Sequence, residues 1–87
     1  MKLKYDFALQ QVADFWAAVP VGERSYNYNA VISLNESARD MMELLREEIS
    51  EEELVQQMLG KYEVDEKTLR QHVSDFIARL REAKVLV

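Results

Sequence analysis

Residues 29–38, Asn-Ala-Val-Ile-Ser-Leu-Asn-Glu-Ser-Ala, decide the fold of this chain, because they predict a short strand that runs directly into a capped helix. Val31 and Ile32 are β-branched, which favours a strand over Val31–Leu34. Asn35 then offers a side-chain oxygen to the first free N–H groups of the helix that follows. We therefore expect a strand–helix junction at Asn35.

Two further strands are predicted upstream of this junction. The runs Phe7–Val12 and Phe15–Val19 are separated by a turn at Ala13 and Asp14, so they are close enough to pair as a hairpin. Pro20 has no N–H for a sheet ladder, and we expect the second strand to stop there. The first third of the chain is thus predicted to form a three-stranded antiparallel sheet.

Three helices with start signals occupy the remainder. The first follows the Asn35 junction. Ser50 caps the second helix, and Glu53, three residues later, completes a capping-box pattern. That helix is predicted to run to about Tyr62. Asp65 caps the third and longest helix, predicted over Glu66–Lys84. Apolar residues at helical spacing predict the buried helix faces: Ala38, Met41, Met42, Leu44, Leu45, Leu54, Val55, Met58, Leu59, Leu69, Val73, Phe76, Leu80 and Ala83.

Three strands followed by three helices predict a single α+β domain over residues 1–87, with a winged-helix-like layout. With 48% apolar residues, the chain has enough apolar side chains for one small core. The absence of cysteine excludes disulfides, a thiol nucleophile and a cysteine-ligated iron–sulfur cluster, and we expect a cytoplasmic protein. We expect no membrane span, since no run approaches about 20 apolar residues, and no signal peptide.

Charge is distributed unevenly along the chain. The net charge of −5 argues against a general nucleic-acid binder, which needs basic charge to displace counterions. Residues 36–53 carry eight acids and two bases, whereas residues 66–84 carry five bases and three acids. The third helix is therefore predicted to be the basic element of an acidic protein.

Five pieces of sequence carry a family resemblance through their order and spacing: Val19–Gly22, Ile32–Ala38, Ser50–Leu54, Tyr62–Asp65, and Val73–Ile77 with Leu80. Together they resemble the PqqD family, small peptide-binding domains also called recognition elements of ribosomally made precursor peptides. The resemblance runs from about Phe7 to the C-terminus. One departure concerns the end of the last helix, where the family often has a glycine and this chain has Lys84.

The resemblance implies a non-catalytic, stand-alone adaptor with no cofactor and no metal. Family members bind the leader of a precursor peptide and present its core to a separate modifying enzyme, often a radical S-adenosylmethionine enzyme. The leader adds as a further strand beside the third strand, in a groove against the third helix, which is β-augmentation. Pyrroloquinoline quinone synthesis is one pathway of the family, and the maturation of other ribosomal peptides is equally open.

The strand side of the predicted site is the edge formed by the third strand and the residues before it. Neither proline nor lysine blocks pairing along this edge, which leaves it available to a guest strand. The predicted peptide-binding residues of this side are Asn29, Ala30, Val31, Ile32, Ser33 and Leu34.

The helix side is predicted from a mostly basic stripe beside the core stripe of the third helix: Lys67, Arg70, Ser74, Ile77, Arg81 and Lys84. We expect Val73 and Ile77 to floor a pocket for an apolar leader residue. Arg70, Arg81 and Lys84 would meet acidic residues of the leader, with Ser74 between the two arginines. The alternative interpretation of this stripe is a solvated helix face.

Other polar and aromatic residues have structural interpretations. His72 has no cysteine or second histidine as a partner, so we interpret it as a surface histidine and not a metal ligand. The acids of Glu47–Glu53 are explained by helix capping, and no serine has a visible base to activate it. Trp16, Tyr26 and Tyr28 are expected to pack the hairpin.

Two other classes of function stay open at the level of sequence. A winged-helix nucleic-acid binder is disfavoured by the acidic net charge. A structural dimerisation module would pair its open edge with a second copy, and exchange of the N-terminal strands would give a swapped homodimer. Peptide binding by a monomer or by such a dimer is the favoured interpretation.

Overall fold

Two antiparallel strands joined by a tight turn open the fold in this computed structural model, which describes residues 1–23 and 28–87. β1 spans Asp6–Val12 and β2 spans Phe15–Val21. Ala13 and Asp14 form the turn. Ala13 has a positive φ of 55°, whereas the φ of Asp14 is not positive. A positive φ at the first turn residue alone matches a type II′ turn, where glycine is usual. The predicted hairpin is confirmed.

β2 continues through Pro20 to Val21, contrary to the prediction that it stops at the proline. Pro20 lies opposite Phe7 of β1. Val12 and Phe15 flank the two-residue turn and bond to each other across it. Along an antiparallel strand the backbone groups point alternately to one neighbouring strand and to the other, so the odd-numbered residues of β2 form hydrogen bonds with β1. The N–H and C=O groups of the even-numbered residues point toward β3 instead. The missing N–H of Pro20 is therefore not needed for pairing with β1.

β3 spans only Ile32–Leu34, shorter than the predicted Val31–Leu34, and pairs antiparallel with Trp16–Ala18 in the sheet order β1-β2-β3. Pro20 also accounts for this short strand. In the observed register the next bonded pair would join Pro20 to Ala30, and proline has no N–H to donate. The β2–β3 ladder accordingly ends at Ile32.

Three helices follow the sheet, as predicted: α1 Glu36–Leu44, α2 Glu51–Leu59 and α3 Glu66–Glu82. α2 ends three residues and α3 two residues before the predicted ends, because the predictions included the C-caps and the one or two residues that follow them. Gly60 caps α2 and Ala83 caps α3. α1 packs on β2 and β3, while α2 packs against α1 and α3. The α+β fold with an N-terminal antiparallel sheet is confirmed.

The three predicted N-caps are confirmed. Asn35 Oδ1 accepts a hydrogen bond from the Ala38 N–H at 2.8 Å. Ser50 and Glu53 form the reciprocal bonds of a capping box, each 3.1 Å long. The bond from the Ser50 backbone N–H lowers the pKa of Glu53. Asp65 caps α3 through its side chain. Each helix therefore begins where a short local signal stands in the sequence.

α3 ends in a Schellman motif built on Lys84. Its φ of 61° is left-handed, the conformation that usually selects glycine at this position. The Val85 N–H donates to the Leu80 carbonyl at 3.2 Å, and the Lys84 N–H donates to the Arg81 carbonyl at 3.0 Å. The departure from the family's glycine thus leaves the helix ending intact, with a lysine in a strained conformation.

The core lies between the inner face of the sheet and the three helices. Its largest fully buried side chains are Phe7, Met42, Leu45, Leu54, Met58, Leu80, Val55, Val73 and Val85. Most predicted helix-face residues are buried, although Leu44 and Leu59 are only half-buried and Ala83 is exposed. Within the described ranges, no helix is both long enough and apolar enough to cross a membrane.

Aromatic residues near the N-terminus pack together, as predicted for the hairpin. The Tyr28 ring stacks on Tyr5 at 4.7 Å and meets Phe7 edge-on at 5.9 Å. Burial, and then the charge of Tyr5, raise the pKa of Tyr28. Trp16 is half-buried on β2. Tyr26, which was assigned to the same packing, falls in residues 24–27 and so lies outside the described residues.

Candidate functional site

The backbone of Ser33 faces the open edge of the sheet. Ser33 lies opposite Ala17, an odd-numbered residue of β2 that bonds to β1, so its own N–H and carbonyl point away from β2. A contact from α3 agrees with this direction, since Arg79 Nη2 donates to the Ser33 carbonyl at 2.8 Å. The backbone groups of Ile32 and Leu34 pair with β2, and their side chains are buried in the core.

A depression of ≈ 310 Å³ lies beside this edge, between the start of α1 and the outer side of α3. Its lining residues are Asn35, Ser37, Ala38, Met41, His72, Asp75, Phe76 and Arg79. The α3 residues among them follow steps of three and four, so they share one flank of that helix.

A second depression of ≈ 320 Å³ adjoins the first and shares Asn35, Ser37, Met41 and His72 with it. It continues toward the connection between α2 and α3, where it adds Glu36, Tyr62, Val64 and Leu69 to its lining. The two depressions form one continuous cleft, here named the α1–α3 groove. Each is large enough for one or two side chains of a ligand.

The groove has an apolar floor and a polar rim. Met41, Phe76 and Leu69 are buried apolar residues whose surfaces form part of the lining. Asp75, on the rim, accepts a hydrogen bond from Gln71 Nε2 at 2.8 Å. This combination suits a ligand that has alternating apolar and polar side chains.

A partly buried polar contact fixes one wall of the groove. The Tyr62 hydroxyl donates to Asp40, whose residue is 8% exposed and whose other carboxylate oxygen is paired with Arg39 Nη2 at 3.0 Å. Burial, followed by the bond to Asp40, raises the pKa of Tyr62 to about 12. The Arg39 guanidinium lies over the Trp16 ring at 4.7 Å. This chain of contacts holds α1, the sheet and the α2–α3 connection together.

The structure places two of the predicted helix-side residues in the core. Val73 is 0% exposed and Ile77 is 3% exposed, and both belong to the main hydrophobic cluster. Neither Val73 nor Ile77 lines the α1–α3 groove, so the groove is not the pocket expected over these two residues. Phe76 and Met41 supply the apolar floor instead.

Arg70, the next predicted residue, faces α2. Its guanidinium donates to Glu52 at 2.7 and 3.0 Å and to Glu66 at 3.0 Å. The hydrogen bond from Arg70, with a second from Gln56, holds the pKa of Glu52 at about 2, and both glutamates raise the pKa of Arg70. Arg70 thus joins α2 to α3 at an exposed position.

Ser74 and Arg81 are exposed on the flank of α3 opposite the groove. At about 100° per residue, Arg79 and Arg81 lie roughly 160° apart around the helix. The groove is formed by the flank that carries His72, Asp75 and Arg79, a set that sequence reasoning did not select. Both flanks are polar in the sequence, and only the position of β3 determines which one borders the sheet edge.

Residues 1–23 and 28–87 contain no cluster of three or more histidine, cysteine, aspartate or glutamate side chains able to hold a metal ion.

A three-stranded sheet with an open edge beside a helix-walled groove defines a small α+β domain of winged-helix-like order. A family model described as coenzyme PQQ synthesis protein D (PqqD) matches residues 21–86, and the chain belongs to the PqqD family. The predicted resemblance is confirmed. A search of curated proteins gave no match.

Among solved structures, the chain is similar to "TbiB1 in Complex with the TbiA(beta) Leader Peptide". The TM-score is 0.74 at 21% sequence identity, and the match covers 99% of this chain and 94% of that chain. At this identity the likeness shows that the two proteins share a fold.

Proposed function

We propose that this chain is a peptide-binding adaptor that captures the leader of a ribosomally synthesised precursor peptide and presents it to a separate modifying enzyme. Membership of the PqqD family supports this, as does a protein of the same fold whose structure is described in complex with a leader peptide. The observation that carries the proposal is the outward-facing Ser33 backbone beside the α1–α3 groove.

The leader adds to the open edge as a fourth strand. Ser33 provides one N–H and one carbonyl, and by alternation Val31, which is 59% exposed, is the next residue able to pair outward. Ile32 and Leu34 bury their side chains and hold the edge in place, while Asn29 and Ala30 extend it. Main-chain bonds to this edge give affinity, and groove side chains select the sequence.

The helix side of the site is assigned to His72, Phe76 and Arg79, which line the groove. The basic stripe, whose exposed members include Ser74 and Arg81, is the competing helix side and is separated from the groove by the core stripe. The two assignments predict different residues in contact with the same peptide, so one experiment distinguishes them.

The adaptor itself has a binding role and no catalytic one, in keeping with its family. Its proposed partners are the precursor peptide and a maturation enzyme, for which a radical S-adenosylmethionine enzyme is the family's common choice. It acts in the cytoplasm, as a monomer or as a homodimer that leaves the β3 edge open.

The test is a titration of ¹⁵N-labelled full-length chain with a synthetic leader of the precursor peptide encoded beside its gene. We expect a dissociation constant in the micromolar range or below. Amide shifts should concentrate in Val31–Asn35 and at His72, Phe76 and Arg79. Shifts centred instead on Ser74 and Arg81 would assign the helix side to the basic stripe.

Backbone-methylated leaders provide the matched control. N-methylation removes single N–H groups, and in an added strand only alternate positions bond to β3. We therefore expect N-methylation at the alternate leader positions that bond to β3 to abolish binding. N-methylation at the positions between them should have little effect. A chain that shows no shifts with the unmodified leader, or a homodimer whose β3 edge is occupied by a second copy, would refute the proposal.

A further inference from the structure

Arg79 occupies the hydrogen-bond acceptor that a guest strand needs. Its Nη2 donates to the Ser33 carbonyl at 2.8 Å across 46 positions of sequence. That carbonyl faces the open edge, where an added strand would place its own N–H. Arg79 is exposed, so its guanidinium can move away from the carbonyl without disturbing the packing of the core.

We propose that Arg79 is a specificity-determining residue, which holds the Ser33 carbonyl in the free protein and binds a carboxylate of the peptide once the guest strand has taken that carbonyl. This inference rests on the proposed function and adds the chemical class of the ligand. The ligand is a strand-forming peptide with an aspartate or glutamate at a defined position.

The pleat of the sheet defines that position. The guest residue paired with Ser33 directs its side chain outward, on the same side as the exposed Ser33 side chain. The two guest residues that flank it point to the other face, on which Ile32 and Leu34 join the core cluster that also contains Val73, Phe76 and Leu80 of α3. The carboxylate therefore belongs to one of these two flanking residues.

The charges around the groove favour a carboxylate only at the Arg79 end. Among the described lining residues, Arg79 is the one arginine or lysine, whereas Glu36 and Asp75 are acidic. An acidic guest residue near Glu36 or Asp75 would meet like charge. A guanidinium forms two parallel bonds to a carboxylate, which gives geometric as well as charge selection.

A double-mutant cycle tests the proposal. The leader encoded beside the gene is compared with versions in which each aspartate or glutamate is changed singly to asparagine or glutamine. Against the unmodified chain, one such change should weaken binding about 10- to 100-fold, as expected for a hydrogen-bonded charge pair. Against the Arg79→Gln variant, the same change should alter the dissociation constant by less than about threefold.

The free-protein contact gives a second readout. Because glutamine lacks the guanidinium that competes for the Ser33 carbonyl, the amide-substituted leader should bind Arg79→Gln at least as tightly as it binds the unmodified chain. Arg79→Lys keeps the charge but not the two-bond geometry, so it should retain only part of the preference for the carboxylate. Arg81→Gln makes the same change in charge on the opposite flank and should behave as the unmodified chain does.

The outcomes separate the two proposals. If the unmodified chain does not bind the leader, the proposed function and this inference both fail. If the chain binds the leader but shows equal preference for carboxylate and amide, or if Arg81→Gln and not Arg79→Gln abolishes the preference, the inference alone fails. A tight-binding leader that contains no acidic residue would overturn it as well.

Discussion

Two non-glycine residues hold conformations that glycine would adopt at lower cost. Ala13 lies in the β1–β2 turn with a φ of 55°, and Lys84 lies at the end of α3 with a φ of 61°. A left-handed conformation costs a residue with a Cβ about 1–2 kcal/mol. At Lys84 the Schellman hydrogen bonds and the burial of Val85 are sufficient to keep this conformation. The helix ending therefore retains a strain that a single substitution can remove.

We predict that Lys84→Gly stabilises the protein by about 1 kcal/mol, because it removes this strain while keeping the two backbone hydrogen bonds. For a domain of this size, the melting temperature should rise by about 4–8 °C. Ala78→Gly is the control, since Ala78 is exposed in the interior of α3 and the same glycine should there cost about 1 kcal/mol. Equal destabilisation by both substitutions in thermal unfolding would contradict the interpretation of Lys84.

At the scale of secondary-structure elements, the sequence predicted what local chemistry determines. The caps at Asn35, Ser50 and Asp65 satisfy N–H groups within three residues, so their signals are complete in the sequence. The length of β3 was not predictable in this way. It depends on the missing N–H of Pro20, and the partner of Pro20 is known only once the register of the sheet is fixed.

The helix side of the site shows the same limit. A helical wheel of α3 gives a core stripe with two polar flanks, and charge alone favoured the basic flank with Arg70 and Arg81. The structure joins Arg70 to Glu52 of α2 and places Arg79 on the sheet edge. Which flank faces β3 depends on how α3 packs across the whole core, and no local pattern contains that information.

α1 and the α2–α3 connection are joined by the hydrogen bond from Tyr62 to Asp40, and this bond predicts a dependence of stability on pH. The folded pKa of Tyr62 is raised from 10.0 to about 12, so folding favours the neutral phenol. Its contribution is fully present below pH 10 and is lost as the pH rises from 10 through about 12. The pKa of Tyr28 is raised in the same direction, mainly by burial.

We therefore expect the free energy of unfolding of the unmodified chain to fall between pH 10 and 12, and to fall less steeply in Tyr62→Phe. Near pH 8 the variant should be less stable by about 1–2 kcal/mol, because the Asp40 carboxylate loses a donor. Urea unfolding from pH 8 upward measures both effects. Tyr28 is unchanged in the variant, so its contribution to the pH dependence of stability is the same in both proteins. Parallel curves for the two proteins would show that the Tyr62–Asp40 bond does not carry the dependence.

At the scale of the whole molecule, the two ends of the described chain close the core together. Leu3 and Leu86 form an antiparallel bridge. The Lys4 N–H donates to the Val85 carbonyl at 2.7 Å, and the Val87 N–H donates to the Lys2 carbonyl at 2.8 Å. The sheet edge that is proposed to bind peptide is therefore held by a core that both ends of the sequence complete, although that edge lies in the middle of the chain.

The alternation of side chains along the last three residues makes this closure testable. Val85 is 0% exposed, whereas Val87 is 75% exposed. We predict that Val85→Ala lowers the free energy of unfolding by about 2 kcal/mol, because two buried methyl groups are lost and a cavity remains. Val87→Ala removes the same atoms from a solvated position and should change stability by no more than about 0.5 kcal/mol. Chemical denaturation of both variants measures the difference.

If peptide affinity depends on the edge itself, a leader should bind the folded Val85→Ala variant as tightly as it binds the unmodified chain. A loss of affinity in fully folded Val85→Ala, with Val87→Ala unaffected, would instead show that the terminal closure positions β3 for its guest strand.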